Sequence, residues 1–143
     1  MNRSTARAHA MELIYEWEMG GDGGEETRLE LLEVAPDERE ADFMNRMFEG
    51  VSANIQAIDE MLTRYLKGWT IERLTRVDLA ILRLAAYELS LAETSDGVVI
   101  NEAVELANRY STDKAGAFIN GVLGSLARDL AVQREADGEG KPQ

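Results

Sequence analysis

Arg76-Val-Asp-Leu-Ala-Ile-Leu-Arg-Leu-Ala-Ala-Tyr-Glu-Leu89 decides the fold. Val77, Leu79, Ala80, Ile81, Leu82, Leu84, Ala85, Ala86 and Leu89 leave no broad polar face on a helix of this length. A helix that is apolar nearly all round is a central one, covered by other helices. Its few polar residues therefore need partners. Asp78 and Glu88 are expected to pair with Arg83, Arg76 or helix ends, because buried charge is costly unless compensated. Downstream, Val99-Ile-Asn-Glu-Ala-Val-Glu-Leu-Ala-Asn-Arg-Tyr110 and Phe118-Ile-Asn-Gly-Val-Leu123 also read as helices, each with polar residues that packing alone does not require.

The covering helices are legible on both sides. Ala6, Ala10, Leu13, Ile14 and Trp17 recur at helical spacing over about residues 5–18. The glycine-rich run Gly20-Gly-Asp-Gly-Gly24 ends that helix. A short acidic helix is expected near residues 25–34, stopped by Pro36. Asp37 and Glu40 stand in capping-box positions for a long helix reaching about Leu66, with an apolar stripe from Met44 to Tyr65. Trp69 to Leu74 reads as a short helical turn. Val99, Ala103, Leu106, Ala107 and Tyr110 form the apolar face of the next helix, and Thr112 or Asp113 caps the last one. The fold class is all-α, one domain over residues 1–133, with a polar tail from Arg134 to Gln143 expected to be disordered.

Composition narrows function by exclusion. Cysteine is absent and His9 is the single histidine, so no cysteine nucleophile or zinc cage is available. No Gly-rich phosphate loop or His-Glu-x-x-His motif occurs, and an enzyme is not expected. No cofactor or metal is implied. No apolar run is long enough for a membrane span and no apolar leader opens the chain, so the expected location is the cytoplasm. The net charge is −12, which opposes phosphate binding, but it is unevenly spread. Residues 21–60 carry 12 acidic and 3 basic side chains, whereas residues 61–91 carry 5 basic and 3 acidic ones.

Two places could hold a nucleic acid. Arg3, Arg7, Met11 and Tyr15 step by four along one flank of the first helix, where arginines could hold a phosphate backbone and Tyr15 could stack a base. From spacing alone, solvated arginines and a tyrosine at the core edge are the favoured reading, because two arginines make a weak electrostatic footprint. Phe118 and Asn120, at the start of the last helix, could offer an aromatic face and an amide to a base. The alternative there is structural: Asn120 bonds an opposing backbone and Gly121 admits a neighbouring helix.

The three ordered blocks, with Arg7-Ala-His-Ala-Met-Glu-Leu-Ile-Tyr-Glu-Trp17, resemble the NusB family of bacterial transcription antitermination factors over about residues 3–130. The resemblance implies about seven helices arranged as two three-helix bundles. It implies binding of single-stranded boxA RNA from ribosomal RNA operon leaders as a heterodimer with NusE, a small-subunit ribosomal protein, in an RNA polymerase complex with NusA and NusG. By position, the RNA surface would include Arg3, Arg7, Tyr15, Phe118 and Asn120. The partner surface would lie on the C-terminal bundle, at Tyr87, Glu88 and Glu105. The family usually opens with a cluster of arginines and carries a glutamine in the first helix; here only Arg3 and Arg7 remain and Glu12 stands in the glutamine's place. The isolated chain is thus expected to bind RNA weakly, with NusE restoring affinity. The same fold begins certain ribosomal RNA cytosine methyltransferases, but those need catalytic cysteines and a second domain. A different reading is an acidic helical module that docks proteins, or a second copy of itself, without touching RNA.

Overall fold

A computed structural model describes residues 2–20, 30 and 37–137. Among these residues the regular structure is helical: α1 (Arg3–Glu18), α2 (Glu38–Ala53), α3 (Ile55–Thr63), a 3₁₀ turn (Ile71–Arg73), α4 (Arg76–Leu91), α5 (Asp96–Tyr110) and α6 (Asp113–Ala136). The acidic helix expected near residues 25–34 lies outside the described residues, apart from residue 30.

The centre is α4, as its all-round apolarity requires. It packs against each of the other five helices, so the groups α1–α3 and α4–α6 meet along it. Leu79, Ile81, Leu82 and Leu89 of α4 are fully buried, beside Leu13 and Ile14 of α1, Met44 and Met47 of α2, and Ile119 and Leu123 of α6. Thr75 caps α4, its hydroxyl accepting from the Asp78 N–H at 3.1 Å. The helix ends at Ala92, which takes a left-handed conformation with φ 56°.

Three sequence expectations change. The long helix expected to run from Asp37 to about Leu66 breaks at Asn54, where the Asn54 side-chain amide donates to the Gly50 carbonyl at 2.8 Å. Short polar side chains compete in this way with the helix's own hydrogen bonds, and the kink lets α3 follow α4 independently of α2. Tyr110, expected on the buried face of α5, is exposed because it is that helix's last residue. The last helix continues to Ala136, beyond the expected start of the tail at Arg134. There the Arg134 guanidinium donates to the Leu89 carbonyl at 2.8 Å, capping the C-terminal end of α4. Residues 138–143 lie outside the described residues.

Candidate nucleic-acid interface

The α1 flank is not the open cationic stripe expected from its spacing. Arg7 is 4% exposed and Glu88 of α4 is 3% exposed. They form a forked pair, Nε to Oε1 at 2.9 Å and Nη2 to Oε2 at 2.7 Å. Glu102 of α5 stands 3.6 Å from the Arg7 Nη1 and accepts from the Ser4 hydroxyl at 2.6 Å. Burial alone would lower the Arg7 pKa, but Glu88, then Glu102 and Glu40, raise it, so the guanidinium stays charged. The partners expected for Glu88 were Arg83, Arg76 or a helix end; the structure supplies Arg7 instead, because α1 crosses α4 at that level. As arranged, Arg7 and Glu88 direct their hydrogen bonds at each other.

Arg3 sits one turn earlier and remains partly exposed. Its Nε lies 3.0 Å from Glu40 Oε2, and its guanidinium lies over the Phe43 ring at 4.1 Å from the centroid. Tyr15 is half-buried and packed against the core. Of the α1 residues expected at the RNA surface, Arg3 alone reaches solvent with its charge.

Arg83 forms the second internal ion cluster. It donates to Asp59 at 2.8 and 2.9 Å and to Glu18 Oε1 at 3.0 Å. The Glu18 side chain is 1% exposed. Burial pushes its pKa up to about 7, against the attraction of Arg83. Pairing with Asp59 and Glu18 raises the Arg83 pKa even though burial opposes it. Both pKa values thus rise, which favours the neutral form of Glu18 and the charged form of Arg83. The geometry agrees with a raised Glu18, since its buried Oε2 has no hydrogen-bond partner among the described residues.

The start of the last helix gives a different picture. Phe118 is half-buried, and the Trp69 ring meets it edge to face, with centroids 6.2 Å apart. Trp69 is 49% exposed. Lys67 and Gly68 turn the chain after α3 with φ of 51° and 90°, and this places Trp69 at the rim. Arg76 holds the following 3₁₀ turn by donating to the Ile71 and Leu74 carbonyls, both at 3.1 Å. The Arg73 guanidinium lies 5.4 Å from the Trp69 ring centroid. Trp69, Arg73 and Phe118, with Thr75, Asp78, Thr112 and Lys114, line a groove of about 510 Å³. Two aromatic faces flanked by cations are the elements that hold a single-stranded nucleic acid.

Asn120 faces elsewhere. It lines a broader groove of about 770 Å³ between α5 and α6, with Asn101 and Asn108. Phe118 and Asn120 therefore belong to opposite flanks of one helix. Gly116 lets those helices approach, because a Cβ there would come within 2.7 Å of the Asn108 Oδ1. Of the expected partner residues, Glu105 is exposed on α5 and Glu88 is buried. Tyr87 is half-buried, its ring lying directly on Gly50 of α2. Trp69, Arg73 and Lys114 were missed in the sequence. The available signal was a tryptophan in a polar segment between helices, within the mildly basic stretch 61–91.

The NusB family model matches residues 4–128. A transcription antitermination protein NusB from Clostridium botulinum is 39% identical over 142 residues, covering 88% of this chain and 99% of its own length. The protein of the same name from Sulfurimonas denitrificans is 40% identical over 128 residues, covering 89% and 97%. Among solved structures, T. maritima NusB superposes with a TM-score of 0.80 at 30% identity, covering 96% of this chain and 98% of that one. A structure of the antitermination factors NusB and NusE in complex with double-stranded RNA superposes with a TM-score of 0.79 at 26% identity, covering 89% and 96%.

Proposed function

This chain belongs to the NusB family, and on that footing we propose that it is a transcription antitermination factor that binds boxA leader RNA together with NusE. It works by binding rather than catalysis, in the cytoplasm, within the RNA polymerase complex that includes NusA and NusG. The observation that carries the RNA part is the groove at the start of α6, where Trp69 and Phe118 meet edge to face beside Arg73 and Lys114. Base–aromatic stacking contributes about 1–3 kcal/mol per base and tolerates any sequence, which suits a contact whose affinity does not depend on a large basic surface.

The expected site residues take unequal parts in this reading. Phe118 stacks a base, with Trp69 as its neighbour. Arg3 meets the phosphate backbone at the exposed end of α1. Tyr15 lies twelve residues further along α1, half-buried against the core, and Arg7 acts from inside by fixing α1 on α4. Asn120, together with Glu105 and the exposed side of α5, serves a protein contact on the C-terminal group. Tyr87 and Glu88 shape that group from within.

Few free cations face the groove, so the isolated chain binds weakly. With about 0.7 units of salt slope per single-strand phosphate contact, Arg3, Arg73 and Lys114 give a slope near −2.1. The test is a gel-shift of labelled boxA RNA with NusE, with and without this chain. A slower complex with both proteins supports the reading. A shift identical to NusE alone removes RNA from the account and leaves the protein-docking module.

A further inference from the structure

Away from the aromatic groove, the start of α1 and one face of α2 border a cavity of about 270 Å³, lined by Arg3, Arg39, Asp42, Phe43 and Arg46. Residues 21–60 hold 3 basic side chains against 12 acidic ones. Two of those three, Arg39 and Arg46, nevertheless come to this one cavity. They stand two turns apart on α2, and Arg3 joins them from α1. An adjoining cleft of about 120 Å³ shares Arg3, Phe43 and Arg46 and adds Thr94, from the turn after α4. The guanidiniums are only partly engaged. Arg3 gives Nε and Nη2 to Glu40, and its Nη1 has no partner among the described residues. Arg46 gives Nη2 alone to Glu93, in a pair about half exposed on both sides. The Arg39 backbone N–H donates to Asp37, but its guanidinium has no partner among the described residues. The cluster also lies apart from the aromatic groove. Asp78 at the start of α4 lines that groove, whereas Leu91 at the other end lines the cleft beside Arg46. Between those two residues the helix rises roughly 20 Å.

We propose that this cavity binds a small phosphorylated ligand with two adjoining phosphate groups, a pyrophosphate unit, held by Arg39, Arg46 and the Nη1 of Arg3. Guanidinium is the side chain best suited to this, because its planar fork meets two phosphate oxygens at once and it is weakly hydrated. Glu40 and the Phe43 ring fix the Arg3 side chain, whose guanidinium lies 4.1 Å from the ring centroid. The exposed Arg46–Glu93 pair holds Arg46 near the cavity and releases it at small cost. Asp42 sets a threshold on the ligand. Three guanidiniums and one carboxylate leave the lining with two positive charges, which a pyrophosphate unit matches and a singly charged anion does not. The layout also favours a compact ligand over a nucleic-acid strand. A strand needs cations spaced along a path, whereas these three converge on one cavity. A chain of net charge −12 offers no diffuse attraction for anions, so a polyanion that binds does so at a local cluster of this kind.

The probe is inorganic pyrophosphate, titrated into the full chain by calorimetry at constant ionic strength, with inorganic phosphate as the smaller comparison. Pyrophosphate should bind more tightly than phosphate by roughly tenfold or more, the worth of one additional charge-assisted hydrogen bond. Arg3 is shared with the RNA reading, so the variants are placed on α2. Arg39→Gln and Arg46→Gln each remove a charged donor and should weaken pyrophosphate by about tenfold. Both side chains are exposed, and unchanged unfolding temperatures without ligand show that the variants fold. Asp42→Asn removes the opposing charge and should strengthen binding. Opposite movement in the two kinds of variant separates a built electrostatic site from general damage. No heat at millimolar pyrophosphate, equal affinity in the parent and both arginine variants, or weaker binding by Asp42→Asn each overturn the proposal. The second arm follows a fluorescein-labelled oligouridylate decamer by anisotropy. Its affinity should be the same for the parent and for Arg39→Gln/Arg46→Gln. A drop in the double variant would assign the cavity to the backbone phosphates of an RNA strand and overturn the small-ligand site. The pyrophosphate arm is independent of whether RNA occupies the aromatic groove.

Discussion

Replacing Glu88 by glutamine removes one charge from a pair that has almost no access to water. The Arg7 guanidinium would keep its charge at 4% exposure, with Glu102 at 3.6 Å as the nearest remaining carboxylate. Breaking a buried ion pair by deleting one partner costs about 3–5 kcal/mol, since the surviving charge is left uncompensated. Glu102 softens this loss, and glutamine can still accept one bond, so Glu88→Gln belongs near the lower end of that range. Arg7→Met exposes the converse problem, an unpaired Glu88 carboxylate at 3% exposure, and also removes the guanidinium stacked 5.4 Å from the Phe43 centroid. It belongs near the upper end. For a domain of this size, 3 kcal/mol corresponds to about 10 °C in Tm. The combined variant Arg7→Met/Glu88→Leu fills similar volume without charge and should return to within about 1 kcal/mol of the parent, or exceed it. Urea titration followed by far-UV circular dichroism measures all three. Single-variant losses below about 1 kcal/mol would refute the buried-pair account. RNA binding supplies an independent check. The folded double variant should bind boxA RNA with NusE within about threefold of the parent, and a tenfold loss would make Arg7 a direct contact.

Three further outcomes follow from local geometry. The Glu18 carboxyl has its pKa raised from an ordinary 4.5 to about 7. The protonated form is thus favoured by folding, and that stability is complete below pH 4.5 and is lost as pH rises through 7; the difference is on the order of 3 kcal/mol. Urea titrations across that window should show a downward slope that Glu18→Gln lacks, and identical slopes in both proteins would remove Glu18 from the explanation. Gly50→Ala places a Cβ inside the Tyr87 ring; the overpacking should cost about 1–3 kcal/mol despite alanine's better helix propensity, and an unchanged or higher Tm would contradict it. Ala92→Gly relieves the left-handed φ of 56° at the end of α4 and should stabilise by roughly 1 kcal/mol, a gain that a drop in Tm would refute.

The helices were legible because their signals are local. The apolar stripe of α1, the Asp37 cap and the all-round apolarity of α4 each lie within one segment. The break at Asn54 was not, since the apolar stripe continues across it and only the Asn54 side chain competes for the backbone. Candidate site residues fared according to how much tertiary structure they needed. Phe118 was visible as an aromatic at a helix start, but its partner Trp69 is 49 positions away and becomes visible only once α4 and α6 pack. Arg7 and Glu88 are 81 positions apart. A lone glutamate on an apolar helix demands a cation, but nothing local says which one. The same demand explains why an arginine expected at a surface was drawn inward. Its position one turn before the buried Met11 was the available hint.

RNA binding by this chain centres on the aromatic groove at the start of α6 in the reading proposed above. The decisive measurement is the affinity of the complex with NusE for labelled boxA RNA, comparing the parent chain with Trp69→Ala/Phe118→Ala after both are shown to be folded and to bind NusE equally. Loss of one stacked base predicts weakening by about tenfold or more, with the salt slope nearly unchanged because no phosphate contact is removed. Equal affinity of the two proteins would contradict the claim that RNA is held there.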